Sequence, residues 1–171
     1  MLRKRPEPPI PNAYWVTQRL AAGEHPGARD PDEARARLER FEAARIRVFV
    51  DLTHTSDGLE PYDGHLAPGR RRLRHPIVDM SVPTEAEMVA ILDAIDAALA
   101  DRKRVYVHCW GGIGRTGTVV GCWLVRHGSS PERAIATIRK RRRSIPAFGP
   151  HPDSPQTARQ HELVRAWRRG R

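Results

Sequence analysis

The chain has 171 residues, which suits one domain, because a single hydrophobic core serves up to about 250 residues. Its formal net charge of +10 comes almost entirely from arginines, which are scattered along the whole sequence. Few aromatic residues and no nucleic-acid recognition motif accompany that charge, so solvated faces and an anionic ligand explain it better than nucleic-acid binding. Two cysteines exclude a disulfide framework and leave a metal cluster without enough thiolates, which fits a reducing compartment.

The N-terminal segment and the apolar runs predict neither a signal peptide nor a membrane span. Prolines stand at positions 6, 8, 9 and 11, where a signal peptide needs its apolar core. The longest apolar runs, such as residues 119–125, are far shorter than the roughly 20 residues that cross a bilayer. We therefore predict a flexible arm over residues 1–12, one folded domain over residues 13–171 and a location in the cytoplasm.

Strand and helix patterns alternate along the chain. In order, they predict a strand pair at 14–16 and 20–22, a helix capped by Asp30, strands at 45–51 and 73–78, a helix capped by Thr84, a strand at 104–108, and helices at 116–126, from Ser130 and from Ser154. Such alternation is typical of an α/β domain. The predicted fold is a single α/β domain with a central, mostly parallel sheet flanked by helices.

Residues 108–117 read HCWGGIGRTG and separate a predicted strand from a predicted helix. A strand, a glycine-rich loop and a helix in this order direct backbone N–H groups at an anion. We predict a phosphate-binding loop that consists of Cys109, Trp110, Gly111, Gly112, Ile113, Gly114 and Arg115.

Hydrolysis of a phosphate ester requires an anion cradle, a nucleophile and a proton for the leaving group. Cys109 is the candidate nucleophile, because a helix N-terminus and a guanidinium stabilise a thiolate. Arg115 can clamp two phosphate oxygens. His108 is predicted to hold the loop by hydrogen bonds, and Thr116 is predicted to donate its hydroxyl to the sulfur when the thiolate must leave.

The motif resembles the HCxxGxxR[ST] signature of the cysteine-dependent protein tyrosine phosphatase superfamily, and the resemblance implies a phosphotyrosine protein phosphatase-like fold. Asp79 stands 30 residues before Cys109 in a segment that resembles the family's PIxDxxxP, so the resemblance implies that Asp79 is the general acid. Asp51 is the alternative acid. Gln156 and Gln160 resemble the family's QTxxQ stretch, whose glutamines position the hydrolytic water.

The resemblance implies a phosphatase that needs no metal and no cofactor and works through a phosphocysteine intermediate. Its substrates would be phosphorylated proteins or other phosphate monoesters, with phosphotyrosine against phosphoserine or phosphothreonine left open. The chain has no NxxKNRY recognition loop, which favours the compact dual-specificity type. Trp110 and Ile113 stand where lipid phosphatases often place lysines, which disfavours phosphoinositides.

Two other functions compete with hydrolysis. A phosphoprotein-binding pseudoenzyme would usually lose the Cys, Arg or Asp that this chain keeps, and a rhodanese-type sulfur carrier has no need of Asp79. The basic run at 139–143 either solvates a helix end or docks a partner. Cys122 is predicted to pack in the core. The sequence leaves the oligomeric state open.

Overall fold

The computed structural model describes residues 6–143, 145 and 153–171. Its strands are β1 (Ala13–Trp15), β2 (Leu20–Gly23), β3 (Ile46–Asp51), β4 (Arg71–Arg74) and β5 (Arg104–His108). Its helices are α1 (Pro31–Ala43), α2 (Glu85–Ala100), α3 (Gly114–Arg126), α4 (Pro131–Arg142) and α5 (Ala158–Ala166). Short 3-10 turns at Thr55–Asp57 and Asp63–His65 lie between β3 and β4.

The five strands form one mixed sheet in the order β1-β2-β5-β3-β4. Only β1 and β2 pair antiparallel, whereas β2, β5, β3 and β4 pair parallel. The predicted α/β domain with a mostly parallel sheet is therefore confirmed. Because β5 is the central strand, the segment that follows it starts in the middle of one edge of the sheet.

Apolar residues cover both faces of the sheet, as its buried central strands require. On one face α1 packs Phe41 against Phe49 and Tyr106, with 4.6 Å between the ring centroids of Phe41 and Tyr106. The other face carries a larger cluster that includes buried side chains of α2, α3, α4 and α5. The helices thus flank the sheet on both sides and hold the loop after β5 between packed layers.

The predicted helix caps of α1, α2 and α4 are present. Asp30 accepts a hydrogen bond from the Glu33 N–H at 2.8 Å, and Thr84 forms a capping box with Glu87. Ser130 accepts from a backbone N–H in the first turn of α4. Each cap of this kind contributes about 1 kcal/mol to stability. Within the described ranges no helix has the length and apolar character that a membrane span needs.

Two predicted elements differ from the structure by four residues at one end. β4 covers Arg71–Arg74 rather than 73–78, because the segment after Arg74 contains Pro76, which has no N–H for a regular ladder. The last helix begins at Ala158 rather than at Ser154. There Thr157 is the N-cap, and its side chain accepts a hydrogen bond from the Gln160 N–H.

The prediction of a flexible arm over residues 1–12 is wrong for its second half. Ile10 is only 2% exposed and belongs to the core cluster on the α1 face. Trp15 Nε1 donates a hydrogen bond to the Glu7 carbonyl at 3.1 Å. An isoleucine among prolines packs here because the sheet offers it an apolar surface. Residues 1–5 lie outside the described residues.

Candidate active site

Polar residues follow the carboxyl ends of the four parallel strands and meet at one edge of the sheet, as expected for this topology. They are Glu24 after β2, Asp57 after β3, Asp79 after β4 and Cys109 after β5. A cavity of about 500 Å³ lies at this edge, and its walls include Cys109, Arg115, Asp79 and Gln156. The fold therefore brings the predicted loop, Asp79 and Gln156 together from three distant parts of the chain.

The loop between β5 and α3 is tied to the protein through its carbonyl groups. Three of them accept hydrogen bonds from outside the loop: Trp110 O from the His25 N–H at 2.8 Å, Gly112 O from Arg142 Nη1 at 2.7 Å, and Ile113 O from Ser154 Oγ at 2.7 Å. Within the described part of the chain, the N–H groups of residues 110–113 donate no hydrogen bond. Outward carbonyls and unpaired N–H groups make the loop a concave donor surface for an anion.

Gly112 is required by the close packing of the loop against β2. Its φ of 69° lies in the left-handed region, and a Cβ there would stand 2.2 Å from the carbonyl carbon of Gly23. Gln160 packs closely against Gly114, because a Cβ at position 114 would lie 2.9 Å from Gln160 Oε1. These two glycines let neighbouring segments approach the loop more closely than any side chain permits.

His108 is fully buried directly before the nucleophile candidate. Its Nδ1 lies 3.2 Å from the Cys109 carbonyl, which can only accept, so Nδ1 donates and Nε2 accepts from the Tyr62 hydroxyl at 2.7 Å. Burial lowers the pKa of His108 to about 4, against the opposing effect of Asp51. The ring is therefore neutral at pH 7 and connects the base of the loop to the segment between β3 and β4.

Asp51, the alternative general acid, lies beneath the site. Its side chain is 1% exposed, and Oδ1 accepts hydrogen bonds from the N–H and the hydroxyl of Thr53 at 2.8 and 2.6 Å. Burial alone would raise the pKa of Asp51, but His108, the Thr53 hydrogen bonds and Arg72 together lower it. A buried carboxylate held in its ionised form does not suit the role of proton donor, so this alternative is set aside.

Arg115 is the largest fully buried side chain of the described residues, and three acceptors orient it. Nη1 donates to Asp57 Oδ2 at 2.7 Å and to the Ile77 carbonyl at 2.9 Å, and Nη2 lies 3.1 Å from Asp79 Oδ1. Nε has no partner among the described residues. The guanidinium is thus fixed from below by Asp57, whose side chain is only 3% exposed.

Sequence reasoning missed Asp57. It lies in a polar loop after β3, where its side chain also accepts a hydrogen bond from the His54 N–H at 3.0 Å. The available signal was topological: β3 and β5 were both predicted as buried strands, and residues that follow neighbouring parallel strands meet at one sheet edge. That rule selects the loop, whereas the choice of Asp57 depends on how the 3-10 turn at Thr55–Asp57 folds.

Asp79 lies at the mouth of the cavity with 51% of its side chain exposed. Met80, which follows it, has a φ of 61°, an uncommon conformation for a residue other than glycine. The next residue, Ser81, bonds back to the Val78 carbonyl through both its N–H and its hydroxyl. This tight turn presents the Asp79 carboxyl group to Arg115 and to the cavity.

The two glutamines of the predicted pair have different environments. Gln156 lines the cavity. Gln160 is fully buried: Oε1 accepts from the N–H groups of Gln156 and Thr157 at 3.0 Å, and Nε2 donates to the Ser81 carbonyl at 3.2 Å. Gln160 therefore joins α5 to the Asp79 turn, and only Gln156 is placed where it can orient a water.

Thr116 is buried, and its hydroxyl has no hydrogen-bond partner among the described residues. Donation by Thr116 to the departing Cys109 thiolate therefore stays a prediction. Cys122 is buried in α3, where burial raises the pKa of its thiol, as expected for a core residue. In the described ranges, no group of three or more histidine, cysteine or acidic side chains is arranged to hold a metal ion.

The basic run at the end of α4 is partly used inside the molecule. Arg139 forms two hydrogen bonds with Asp153 at 2.7 and 2.8 Å. Arg142 holds the loop between β5 and α3 through its hydrogen bond to Gly112 O. The run therefore does more than solvate the helix end, and docking of a partner there stays a prediction.

Comparison with known proteins gives relatives that each match the chain over part of their own length. Over 72 residues the chain is 35% identical to the human cyclin-dependent kinase inhibitor 3, a match that covers 41% of the chain and 34% of that protein. Over 165 residues it is 26% identical to protein tyrosine phosphatase domain-containing protein 1 of Danio rerio, which covers 88% of the chain and 22% of the relative. The chain thus spans about a third or less of the length of these relatives.

The fold has solved counterparts of similar size. The crystal structure of Tk-PTP in the active form superposes with a TM-score of 0.73 at 26% identity, covering 90% of this chain and 94% of that one. Residues 26–129 match the family model described as polymorphic toxin system, DSP-PTPase phosphatase. That range contains three of the four parallel strands, the loop after β5 and both aspartates that bind Arg115. The chain therefore belongs to the DSP-PTPase phosphatase family of polymorphic toxin systems.

Proposed function

We propose that this chain hydrolyses phosphate monoesters through a phosphocysteine intermediate on Cys109, without a metal ion. The observation that carries the proposal is that Asp79 lines the same cavity as Cys109 and Arg115, although it comes from a different segment of the chain. Charge on the phosphoryl group would be balanced by the unpaired N–H groups of residues 110–113 and by Arg115. These groups supply the positive potential that other phosphatases obtain from metal ions.

The first step transfers the phosphoryl group to the enzyme. The Cys109 thiolate attacks phosphorus, the bond between phosphorus and the ester oxygen breaks, and Asp79 gives its proton to the departing oxygen. Asp79 touches Arg115 in the present structure, and a bound phosphate would compete for the same guanidinium. Substrate binding would thereby release Asp79 towards the leaving oxygen.

The second step regenerates the thiolate. Asp79, now a carboxylate, removes a proton from water, the water oxygen attacks phosphorus, and the sulfur–phosphorus bond breaks. Gln156 lines the cavity and would orient this water. The unpaired hydroxyl of Thr116 would donate to the sulfur as negative charge develops there. Because the cycle needs a free thiolate, we place the enzyme in a reducing compartment such as the cytoplasm.

The apolar rim of the cavity favours phosphoprotein substrates whose leaving group is aromatic. Val78, Met80 and Trp110 are the large apolar side chains that are at least half exposed among the described residues, and all three surround Asp79 or the phosphate loop. Exposed apolar side chains that cluster around a polar pocket mark a binding surface. An aryl ring could pack on Trp110, which would favour phosphotyrosine over phosphoserine.

The test is hydrolysis of p-nitrophenyl phosphate in the presence of EDTA. We expect turnover by the parent protein, almost none by Cys109→Ser, and a fall of about 10²–10⁴-fold in Asp79→Asn, the usual contribution of a general acid. Cys122→Ser is the matched control and should keep full turnover. Binding of vanadate without turnover would instead favour a phosphoprotein-binding role, and thiosulfate sulfurtransfer would favour a rhodanese-type carrier.

The substrate class requires a second comparison. Trp110→Ala should reduce kcat/KM for a phosphotyrosine peptide by about 2–10-fold, the value of one aromatic contact, and leave a phosphoserine peptide unaffected. Equal losses for both peptides would show that Trp110 shapes the loop rather than selects the leaving group.

A further inference from the structure

A second cavity lies at the opposite edge of the sheet, where β3 and β5 begin. It has a volume of about 840 Å³, and we name it the cationic groove: seven arginine and lysine side chains line it, at positions 19, 45, 47, 70, 102, 103 and 104, together with one carboxylate, Glu42. The six residues of β3 separate this edge from the catalytic edge, a distance of roughly 17 Å at about 3.3 Å per residue. The groove is therefore distinct from the catalytic cavity.

Some of these cations have structural partners. Arg19 Nη1 donates to the Leu99 carbonyl at 3.0 Å, and Arg104 Nη1 donates to the Ala44 carbonyl at 2.8 Å. These contacts satisfy carbonyl groups at the ends of α2 and α1, where cations also complement the helix dipole. Helix capping thus explains two of the seven cations.

The other cations in the groove cap no helix carbonyl of the described residues, and Lys103 pairs with Asp101 at 3.1 Å. In the described part of the chain, the guanidinium groups of Arg45, Arg47 and Arg102 make no hydrogen bond or ion pair. Arg70 binds Glu42 at 3.2 Å, and only 8% of its side chain is exposed. Its Nε is buried and has no hydrogen-bond partner among the described residues. A buried, unpaired arginine N–H is costly unless an acceptor reaches it, so Arg70 keeps a donor that no described group uses.

Two of the free arginines occupy unfavourable backbone positions. Arg45 and Arg102 both have a φ of 58°, and each directly follows the C-cap of a helix, the position where glycine is preferred. Replacement of either arginine by glycine would relieve the backbone strain of this positive φ. The chain nevertheless places a large cation at both positions, and both side chains line the same groove.

We propose that the cationic groove binds a small polyanion that carries two or more phosphate groups. Arginine forks match phosphate oxygens bidentately, and the groove volume lies within the roughly 300–1,000 Å³ of small-ligand sites. Among the described residues, no apolar residue lines the groove, which disfavours ligands that carry an acyl chain. Inositol polyphosphates and inorganic polyphosphates share the chemistry that it recognises.

The test is calorimetric titration with inositol hexakisphosphate and, separately, inorganic tripolyphosphate, with saturating vanadate to occupy Cys109. We expect both probes to bind the parent protein. The probe that binds more tightly shows whether inositol polyphosphates or inorganic polyphosphates are the preferred class of ligand. The groove variant Arg45→Gln/Arg47→Gln/Arg102→Gln should bind at least about tenfold more weakly, because each arginine supplies charge-assisted hydrogen bonds. Its hydrolysis of p-nitrophenyl phosphate should be unchanged, which separates this proposal from the proposed catalytic function.

A charge-matched control replaces Arg133, Arg165 and Arg169 by glutamine. These residues are exposed, and neither cavity includes them. The proposal is overturned if neither probe binds the parent in the presence of vanadate, or if the groove variant binds as tightly as the parent. It is also overturned if the control variant loses as much affinity as the groove variant. Equally tight binding of hexaglutamate would overturn the assignment to phosphate.

A second variant separates binding from folding. Arg45→Gly/Arg102→Gly should melt at a higher temperature than the parent without ligand, because glycine accepts the positive φ without strain. The same variant should lose most of the increase in melting temperature that inositol hexakisphosphate gives the parent. An unchanged ligand-induced shift would show that these arginines do not bind the polyanion.

Discussion

Replacement of Asp57 by asparagine removes the negative charge beside Arg115 while it leaves the size of the side chain unchanged. In the structure Asp57 Oδ2 lies 2.7 Å from Arg115 Nη1, and the two side chains are 3% and 1% exposed. Solvent therefore screens this pair little. The asparagine amide can also present its NH₂ group to the guanidinium, which would turn Arg115 away from the phosphate.

The expected effect follows from the strength of this one contact. A hydrogen bond to a charged group contributes about 1.5–3 kcal/mol, which corresponds to a loss of about 10–150-fold in kcat/KM if the whole contact serves to orient Arg115. Because Arg115 is proposed to hold the phosphate before and during the reaction, KM should rise as well as kcat fall. Steady-state hydrolysis of p-nitrophenyl phosphate measures both.

Asp63→Asn is the control, since Asp63 pairs with Arg72 at 2.8 Å but is 52% exposed. Exposed ion pairs contribute little, so this variant should stay within about twofold of the parent. A folded Asp57→Asn protein with kcat/KM within about threefold of the parent would refute the reasoning, because the buried pair would then have no role in orienting Arg115.

Three further predictions concern the loop and its surroundings. Gly112→Ala should lose most phosphate binding, measured by vanadate inhibition, because its Cβ would lie 2.2 Å from the Gly23 carbonyl carbon. The pKa of His108 falls from its ordinary 6.5 to about 4 on burial, so the unfolded chain takes up a proton first as the pH falls, and stability present above pH 6.5 is lost towards pH 4. Urea unfolding at pH 7 and pH 4 should show that the parent loses of the order of 3 kcal/mol more stability than His108→Asn between these two pH values. Iodoacetate should label Cys109, which lines the cavity although it is only 3% exposed, and leave Cys122 unmodified in the folded protein, because Cys122 is fully buried and lies outside the cavity. Mass spectrometry that finds both labelled would contradict this.

The parts of the structure that depend on short sequence separations could be predicted. The caps formed by Asp30 and Thr84 need only residues three positions apart, and both are present. The loop after β5 is equally local, because one strand, its glycines and the next helix determine its path. Asp79 was found through a family motif and lies where that motif implies.

The parts that depend on tertiary packing could not be predicted. Gln160 has the i, i+4 spacing of a solvent-facing pair with Gln156, yet it is buried because α5 docks against the Asp79 turn. Ile10 stands in a proline-rich segment that suggests a loose arm, and only the assembled sheet gives it an apolar surface. Asp57 is one of several acidic residues in its loop, and its meeting with Arg115 depends on the conformation of that whole loop.

The attachment of the loop carbonyls to His25, Arg142 and Ser154 affects the thermodynamics of ligand binding. Because these bonds form when the chain folds, the loop loses its conformational entropy then, and a phosphate that binds later has little ordering to bring about. The affinity for phosphate therefore depends on residues outside the loop, among them Arg142 in α4. A substitution near the end of α4 that loosens Arg142 would weaken phosphate binding although no atom of α4 is part of the bound loop itself.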